Sequence, residues 1–404
     1  MKCRACKTSV IPFFSLGMMP LVNSFLASES ACSQEKRYDL TVAFCPQCFL
    51  VQLMTNIAPE TLFLHYVYVS STSKHFLAHC QKTAIAFIKR FNLTSKHLVL
   101  EIGSNDGSQL QYFKNKGISV LGVDPAENIA TIANKKGIRT IPGFLSLAFA
   151  QNLKQREGIQ ADLILGANVL AHVPNIVNFV KGVKVMLKPK GSAVFEFPYL
   201  KGLMEGKFDI IYHEHVFYYS LLALINLFSC AYLEIYDVEM TSMQGGSLRI
   251  FVSHQKVFPL SPSLKHLVRQ EKTAGFDRID TYYAIQKRIE ALKKNLLSLL
   301  KKLKREGKGI AAYSAPAKGN VLLNYFGIHG NYLDFIVDKA KEKQGLFTPG
   351  THLRVYSPEK IYHAKPDYLL VLCWNIADEV IEEHAKFQRM GGKFIIPIPE
   401  LKII

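Results

Sequence analysis

Nowhere in the 404 residues is there an uninterrupted apolar run of the roughly 18 to 20 residues needed to span a bilayer. The opening Met1-Lys2-Cys3-Arg4-Ala5-Cys6 has no apolar signal region. A helical membrane-spanning protein is thereby excluded, no membrane partner is expected, and the expected compartment is the cytoplasm. Acidic residues are also scarce, 32 Asp and Glu against 49 Lys and Arg, for a net charge of +17. Such a surplus favours an anionic partner: nucleic acid, an acidic membrane surface or a small phosphorylated substrate. The chain lacks an arginine-rich arm or a low-complexity tail, and the densest lysine runs, Lys287 to Lys308 and Lys339 to Lys343, have the spacing of solvated helix faces. No nucleic-acid partner is therefore expected.

Cysteine is sparing and uneven. Cys32, Cys80, Cys230 and Cys373 stand alone, whereas Cys3-x-x-Cys6 and Cys45-x-x-Cys48 form two matched pairs. In a reducing compartment a disulfide framework is not expected. A CxxC pair opens into a turn that aims two thiolates at one point, so Cys3, Cys6, Cys45 and Cys48 provide the four soft ligands of a closed tetrahedral zinc site. With four protein ligands no coordination position is left for substrate or water, so this zinc is expected to be structural.

The length predicts two or three domains. His97 to Ile102 reads as a short buried strand ended by a glycine loop, followed by strands at Ile118–Asp124, Ala161–Gly166 and Ser192–Phe197 with helical segments between them. This alternation predicts an α/β fold with a doubly wound parallel sheet, whose ligands gather at the carboxyl ends of the strands. A long amphipathic helix follows, with Tyr283, Ile285, Ile289, Leu292, Leu296, Leu299, Leu300 and Leu303 on one stripe and Gly307 as its stop. Strands at Gly309–Tyr313, Leu333–Asp338 and Tyr368–Leu372 then predict a second α/β unit.

The loop Glu101-Ile102-Gly103-Ser104-Asn105-Asp106-Gly107 lacks the GxGxxG pattern, because Asn105 takes the place of the middle glycine. An acidic residue two positions before the first glycine is a methyltransferase habit and favours S-adenosylmethionine over a dinucleotide. Gly103 and Gly107 let the chain turn beneath a ligand, and Asp124, some twenty residues on and followed by Pro125, suits both ribose hydroxyls. Asn168 to Pro174 follows the fourth strand, where the methionine end of such a cofactor is met, and contains His172. Farther on, Tyr212-His213-Glu214-His215 packs two imidazoles, a phenol and a carboxylate into four residues, costly to bury unless hydrogen-bonded. They face a cleft or form a satisfied network. Ala315-Pro316-Ala317-Lys318-Gly319-Asn320 lies at a strand-to-helix turn, suited to presenting backbone N–H groups and Lys318 to phosphate.

Taken in order, the paired CxxC turns, Tyr68 with Ser70-Ser71, the Glu101–Gly107 loop, Asn168–Pro174, Tyr212–His215, Gly245-Gly246-Ser247-Leu248-Arg249 and Ala315–Asn320 span essentially the whole chain. The series resembles the S-adenosylmethionine-dependent sugar C-methyltransferases that act at C3 of nucleotide-linked 4-keto-deoxysugars. The resemblance implies three units: a small zinc-binding domain at residues 1–66, a central Rossmann-like class I methyltransferase domain at 67–260 and a C-terminal Rossmann-like α/β domain at 261–404. It places the sugar nucleotide between the last two, near Gly245, Gly246, Arg249, Lys318 and Asn320, with Arg249 as the candidate anion contact, and it brings Tyr68 to the active site. Met243-Gln244 precedes the glycine pair in place of a small-polar or histidine pair, so the sugar and the nucleotide base stay open. A monomer is expected.

On that resemblance the chemistry needs a base and an enolate stabiliser, because a C3 hydrogen becomes acidic only beside the C4 ketone. His215 is the expected base. Tyr212 is the expected donor to the oxyanion, Glu214 orients an imidazole or binds a sugar hydroxyl, and His172 supplies a second polar contact at the ketone. Two rivals stand beside this reading. One is a methyltransferase of the same fold acting on oxygen or nitrogen of another small molecule. The other is a zinc-ribbon nucleic-acid-binding protein with a disused cofactor fold, which leaves Tyr212–His215 without a purpose.

Overall fold

The computed structural model describes residues 1–63, 69–72 and 74–404. Three sheets organise these residues. In the first, Ile11–Pro20 lies antiparallel to Arg37–Phe44, which pairs in turn with Val51–Leu53. A register shift between Pro12 and Phe14 breaks the alternation of faces, so Phe13 and Phe14 are both buried. They pack on two different helices: the Phe13 ring is 5.1 Å from Tyr282 and the Phe14 ring 5.7 Å from Tyr325. The fourth strand, Phe217–Tyr218, pairs with Val51–Leu53 although it begins two residues after His215 in the chain. The sheet begun in the first 66 residues is thus completed by the central part of the chain, which satisfies the outer edge of Val51–Leu53.

The second sheet runs Leu233–Thr241, Ser247–His254, Leu187–Pro198, Ala161–Ala167, Leu98–Ile102, Ser119–Asp124, Thr140–Pro142. The last five are parallel, and the first two form an antiparallel hairpin at one edge. The four strands expected from apolar runs all lie here. Leu98–Ile102 is flanked by the next strand on one side and by Ala161–Ala167 on the other, so the winding reverses between these two neighbours and opens a crevice at their carboxyl ends.

The third sheet repeats the device. Val355–Tyr356, Phe335–Val337, Ile310–Tyr313, Tyr368–Val371 and Lys393–Ile396 are parallel, with Lys402–Ile403 antiparallel at the edge. Its reversal lies between Ile310–Tyr313 and Tyr368–Val371.

The long helix Ile279–Arg305 joins the units. Its buried stripe is Tyr282, Ile285, Ile289, Leu296, Leu300 and Leu303, so Tyr282 rather than Tyr283 occupies the inward position. Steps of three and four back from Ile289 lead to Ile285 and Tyr282, which lies between Phe13 and Phe44, while Tyr283 is 46% exposed. The preceding helix, Pro262–Thr273, packs on the central unit: Glu271 accepts the backbone N–H groups of Leu221 and Leu222 at 2.6 and 2.8 Å and the Tyr199 hydroxyl at 2.7 Å. That carboxylate caps two N–H groups that a helix cannot satisfy in its first turn. One continuous apolar core runs through all three sheets, and a second covers the other face of the central one.

Candidate active site

The glycine loop turns at the end of Leu98–Ile102 through left-handed residues, Gly103 at φ +66°, Asn105 at +48° and Gly107 at +77°. A side chain on Gly103 would put its Cβ 2.6 Å from Val169, so the adjoining Asn168–Pro174 loop can come this close only against glycine. Asn105 tolerates its conformation because it is held on both sides: its N–H donates to Asp124 at 2.8 Å and its side-chain oxygen accepts the Ser70 N–H at 2.9 Å. Asp124, at the tip of the neighbouring strand, also accepts the Ala126 N–H at 2.9 Å. Burial raises its carboxyl, and these bonds oppose that.

A cavity of about 660 Å³ opens over this loop, within the range of small-molecule sites. Glu101, Gly103, Ser104, Asn105, Asp124, Pro125 and Asn168 line it. Asp106 and Gly107 do not: Asp106 is fully buried beneath the loop, bonded to Ser108 at 2.6 Å and Lys136 at 2.5 Å, and Gly107 is the N-cap of the helix Ser108–Lys114. Glu101 is the informative wall residue. Burial, then the nearby Asp124 and Asp106, push its carboxyl well above the usual range, and its Oε2 has no hydrogen-bond partner among the described residues. A buried orphan acceptor is costly, and a cationic ligand satisfies it; S-adenosylmethionine carries both an ammonium and a sulfonium. The residues present fit that cofactor.

Tyr212, Glu214, His215 and His172 line the same cavity. The segment is held by Val216 N–H on the Ala171 carbonyl at 2.7 Å and His215 N–H on the Tyr212 carbonyl at 2.8 Å. The Tyr212 hydroxyl is 2.8 Å from His215 Nε2, and His215 Nδ1 is 2.9 Å from the Ile210 carbonyl oxygen. A carbonyl only accepts, so Nδ1 carries the proton and the lone pair of the neutral ring is at Nε2, where it receives the Tyr212 O–H. His172 obeys the same rule. Its Nδ1 lies 2.7 Å from the Glu214 carbonyl oxygen, which leaves Nε2 the acceptor nitrogen.

Both imidazoles are neutral at pH 7. Burial lowers His172 to about 4; burial, then His172 and Lys318, holds His215 well below its ordinary value. A neutral His172 with this proton placement accepts rather than donates at Nε2. Glu214 is raised by burial and partly restored by a 2.6 Å bond from the Asn23 side-chain amide. His213 turns away from its neighbours, toward the Tyr38 carbonyl at 3.3 Å. Tyr68 lies outside the described residues.

The expected sugar-nucleotide contacts lie off this cavity. Gly245 sits at φ +83° under Trp374, where a Cβ would come within 2.9 Å of the indole, and its carbonyl accepts Lys207 at 2.8 Å. Gly246, at φ +122°, follows it and accepts the Tyr199 N–H at 3.2 Å. Lys318 is nearly buried, 5.6 Å from the Trp374 ring; burial lowers its ammonium while Asp209 supports the charge. Trp374 Nε1 donates to Asp209 at 2.6 Å. Asn320 is fully buried and donates to the Val22 carbonyl at 2.8 Å. Arg249 is elsewhere: its guanidinium bonds Glu196 at 2.7 Å, Glu239 at 3.0 Å and Thr83 at 3.2 Å. Two carboxylates already neutralise it, which corrects its expected role as an anion contact.

The four paired cysteines meet. All four sulfurs lie within 4.8 Å of one another, with Cys3 to Cys48 at 3.6 Å and Cys6 to Cys45 at 3.4 Å. Tetrahedral zinc with bonds of about 2.3 Å requires sulfurs roughly 3.8 Å apart. The turns match: Lys7 N–H bonds the Cys3 carbonyl at 3.1 Å and Phe49 N–H the Cys45 carbonyl at 2.9 Å, with Lys7 and Phe49 both left-handed at φ +66° and +64°. Contact with Cys48 lowers Cys3 to about 4, while burial pushes Cys45 up to about 11 and contact with Cys3 raises Cys48. Four cysteine sulfurs this close form the donor set of a bound cation, which would hold all four as thiolates. Zinc is the structural metal that fits, and Gln52, bonded to Cys3 at 3.3 Å, supports it from outside.

Sequence reasoning passed over Asn23 and Phe144, both on the cavity wall. Phe144 follows the strand Thr140–Pro142 and was reachable by the rule that ligands gather at strand carboxyl ends. Asn23 had no local signal, being 191 residues from its partner Glu214.

Comparison with known proteins covers nearly the whole chain. Family models match for a zinc binding domain at residues 3–63, a methyltransferase domain at 76–238 and a C-methyltransferase C-terminal domain at 242–399. The chain is 35% identical over 406 residues to the C-methyltransferase NovU of Streptomyces niveus, covering 100% of this chain and 96% of that one. A ubiquinone biosynthesis O-methyltransferase of Hydrogenovibrio crunogenus is 27% identical over 112 residues, 28% of this chain and 46% of its own. Among solved structures, magnesium protoporphyrin IX methyltransferase of Synechocystis PCC 6803 with bound SAM aligns over 44% of this chain and 79% of its own, at 15% identity and a TM-score of 0.34.

Proposed function

The chain belongs to the S-adenosylmethionine-dependent C-methyltransferase family, and from that premise we propose that it methylates C3 of a nucleotide-linked 4-keto-6-deoxysugar, in the biosynthesis of a branched deoxysugar. One observation carries the reading: a single cavity is lined both by Glu101, Asp124 and Asn168 and by Tyr212, Glu214, His215 and His172. A base and a polar cluster facing the cofactor loop are what carbon methylation needs and what transfer to a ready nucleophile does not.

S-adenosylmethionine supplies the electrophilic methyl group. Glu101 and Asp124 would hold its cationic and ribose groups, with Gly103 to Asn105, Pro125 and Asn168 lining the cavity around them. Nε2 of His215 takes the C3 proton, and the C–H electron pair moves into the C3–C4 bond as the ketone oxygen becomes anionic. Nε2 has a single lone pair, so the Tyr212 O–H turns from it to the ketone oxygen as the C3 proton arrives, and there meets the developing oxyanion. The enolate carbon C3 would receive the methyl group of the bound cofactor, whose methyl–sulfur bond breaks with its electron pair staying on the neutral thioether that leaves. Neutral His172, through Nε2, and Glu214 accept sugar hydroxyls. The nucleotide lies at the junction of the central and C-terminal units, by Gly245, Gly246, Lys318, Asn320 and Trp374, where Lys207 and Lys318 offer charge to its phosphates.

The test is transfer from labelled S-adenosylmethionine to a panel of nucleotide 4-keto-6-deoxysugars generated in place, with NMR locating the methyl group and His215→Ala as control. A C3 methyl that disappears in the variant is expected. Transfer to oxygen or nitrogen, or C3 methylation undiminished in His215→Ala, overturns the reading.

A further inference from the structure

We propose that Asn23, a residue of the zinc-binding unit, is a positioning residue of the active site, holding the Glu214 carboxylate as an acceptor for a ligand hydroxyl. The proposal deepens the reading above and rests on it for the identity of that ligand.

Asn23 lies in the loop that leaves Ile11–Pro20, at the end of the first sheet opposite the cysteines. That strand and its partner Arg37–Phe44 run ten and eight residues, so the zinc clamps one end of a ribbon of about 30 Å while the other end reaches the cavity. The loop is fastened to the C-terminal unit on both sides of Asn23. Before it, the Val22 carbonyl accepts from Asn320 at 2.8 Å. After it, Leu26 and Phe347 exchange backbone bonds at 3.0 and 2.8 Å, and Lys343 lies 5.3 Å over the Phe25 ring. From this double anchor Asn23 extends to the central unit, donating to Glu214 Oε1 at 2.6 Å, and both residues line the cavity. Three parts of the chain distant in sequence therefore meet at one hydrogen bond.

Glu214 needs such a donor. It is 9% exposed, and the titratable groups beside it are His172 from the turn Leu170–His172 and Tyr212, His213 and His215 on its own segment; Glu60 lines the same cavity. The three imidazoles are all lowered by burial and bring no positive charge at neutral pH. A side-chain amide favours the ionised carboxylate without adding a charge that would compete for the ligand, and the remaining lone pairs stay available to accept a hydroxyl. An ionised Glu214 accepts; a protonated one would donate and bind a different group.

The experiment uses the full-length, zinc-loaded protein and the variants Asn23→Leu, which removes the donor at similar volume, Asn23→Asp, which sets a like charge against Glu214, and Asn23→Ser, which keeps a donor. Infrared difference spectra of protein labelled with carboxyl-¹³C glutamate, assigned by Glu214→Gln, read the titration of this one carboxyl without substrate. The expected result is titration at higher pH in Asn23→Leu and higher still in Asn23→Asp, with return toward wild type in Asn23→Ser. In the methyl-transfer assay KM for the acceptor rises about tenfold in Asn23→Leu while the Kd for S-adenosylmethionine is unchanged. An unmoved carboxyl titration in variants that retain one zinc and a wild-type melting temperature overturns the proposal. A shifted titration in a protein that methylates none of the sugars upholds the positioning role and removes only the sugar.

Discussion

The Tyr212 hydroxyl donates to Nε2 of His215 at 2.8 Å, on a ring whose other nitrogen is committed to the Ile210 carbonyl. The proposed base and its hydrogen-bond donor are thus one unit, and their loss differs in kind. His215→Asn should lower the methyl-transfer rate by about 10² to 10⁴ in single-turnover measurements, with S-adenosylmethionine affinity unchanged. Tyr212→Phe keeps the base and loses the oxyanion donor, for a fall of roughly 10² to 10³ in the same step. Equal and full activity in both variants would remove this pair from the chemistry.

Arg249 offers a contrast, because its partners are internal. Its side chain is 8% exposed and that of Glu196 12%, and His79 joins them at 3.2 Å. Arg249→Met leaves Glu196 buried without its main cation and should destabilise the fold by about 3 to 5 kcal/mol in urea unfolding. KM for the acceptor should stay at its wild-type value. A raised KM with undiminished stability would return Arg249 to the substrate site.

What the sequence made legible was local. The CxxC turns, the glycine loop and the four buried strands are each set by neighbouring residues, through thiol spacing, left-handed turns or short apolar runs, and all stand where expected. The failures are long-range. Whether Arg249 meets a ligand or a carboxylate depends on Glu196 and Glu239, which the sheet brings beside it through cross-strand pairing. Phe217–Tyr218 is too short to announce itself as a strand and exists because Val51–Leu53 presents an edge. Tyr282 and Tyr283 are adjacent in sequence, and only the phase of the helix against Phe13 and Phe44 selects between them.

One zinc per chain is expected by elemental analysis, lost in Cys45→Ser and on prolonged chelation. Structural zinc sites of this kind contribute on the order of 10 kcal/mol to folding of small units, so the metal-free protein should melt at lower temperature. Because Phe13 and Phe44 pack on Tyr282, the disturbance should extend along the long helix. Methyl transfer is expected to fail while S-adenosylmethionine binding, which uses the central unit, persists in calorimetry. Full activity in a zinc-free chain would detach the metal from the catalytic architecture.

Glu101 is a cost to the empty protein that the cofactor removes. Its folded pKa is raised, so the stability it contributes is present below the unfolded value near 4.5 and is lost as pH rises, leaving the ionised form disfavoured at pH 7. Glu101→Gln is nearly isosteric and carries no charge to desolvate. The variant without cofactor should therefore be more stable than wild type at pH 7, and the advantage should shrink toward pH 4, where the wild-type carboxyl is protonated in both states. The same change deletes the anionic partner of a cationic ligand, so S-adenosylmethionine should bind at least about tenfold more weakly, a loss of roughly 1.4 kcal/mol. Calorimetric titration together with melting curves at pH 4 and pH 7 measures both effects. A variant that is less stable when empty and binds the cofactor as tightly would mean that Glu101 serves the fold rather than the ligand.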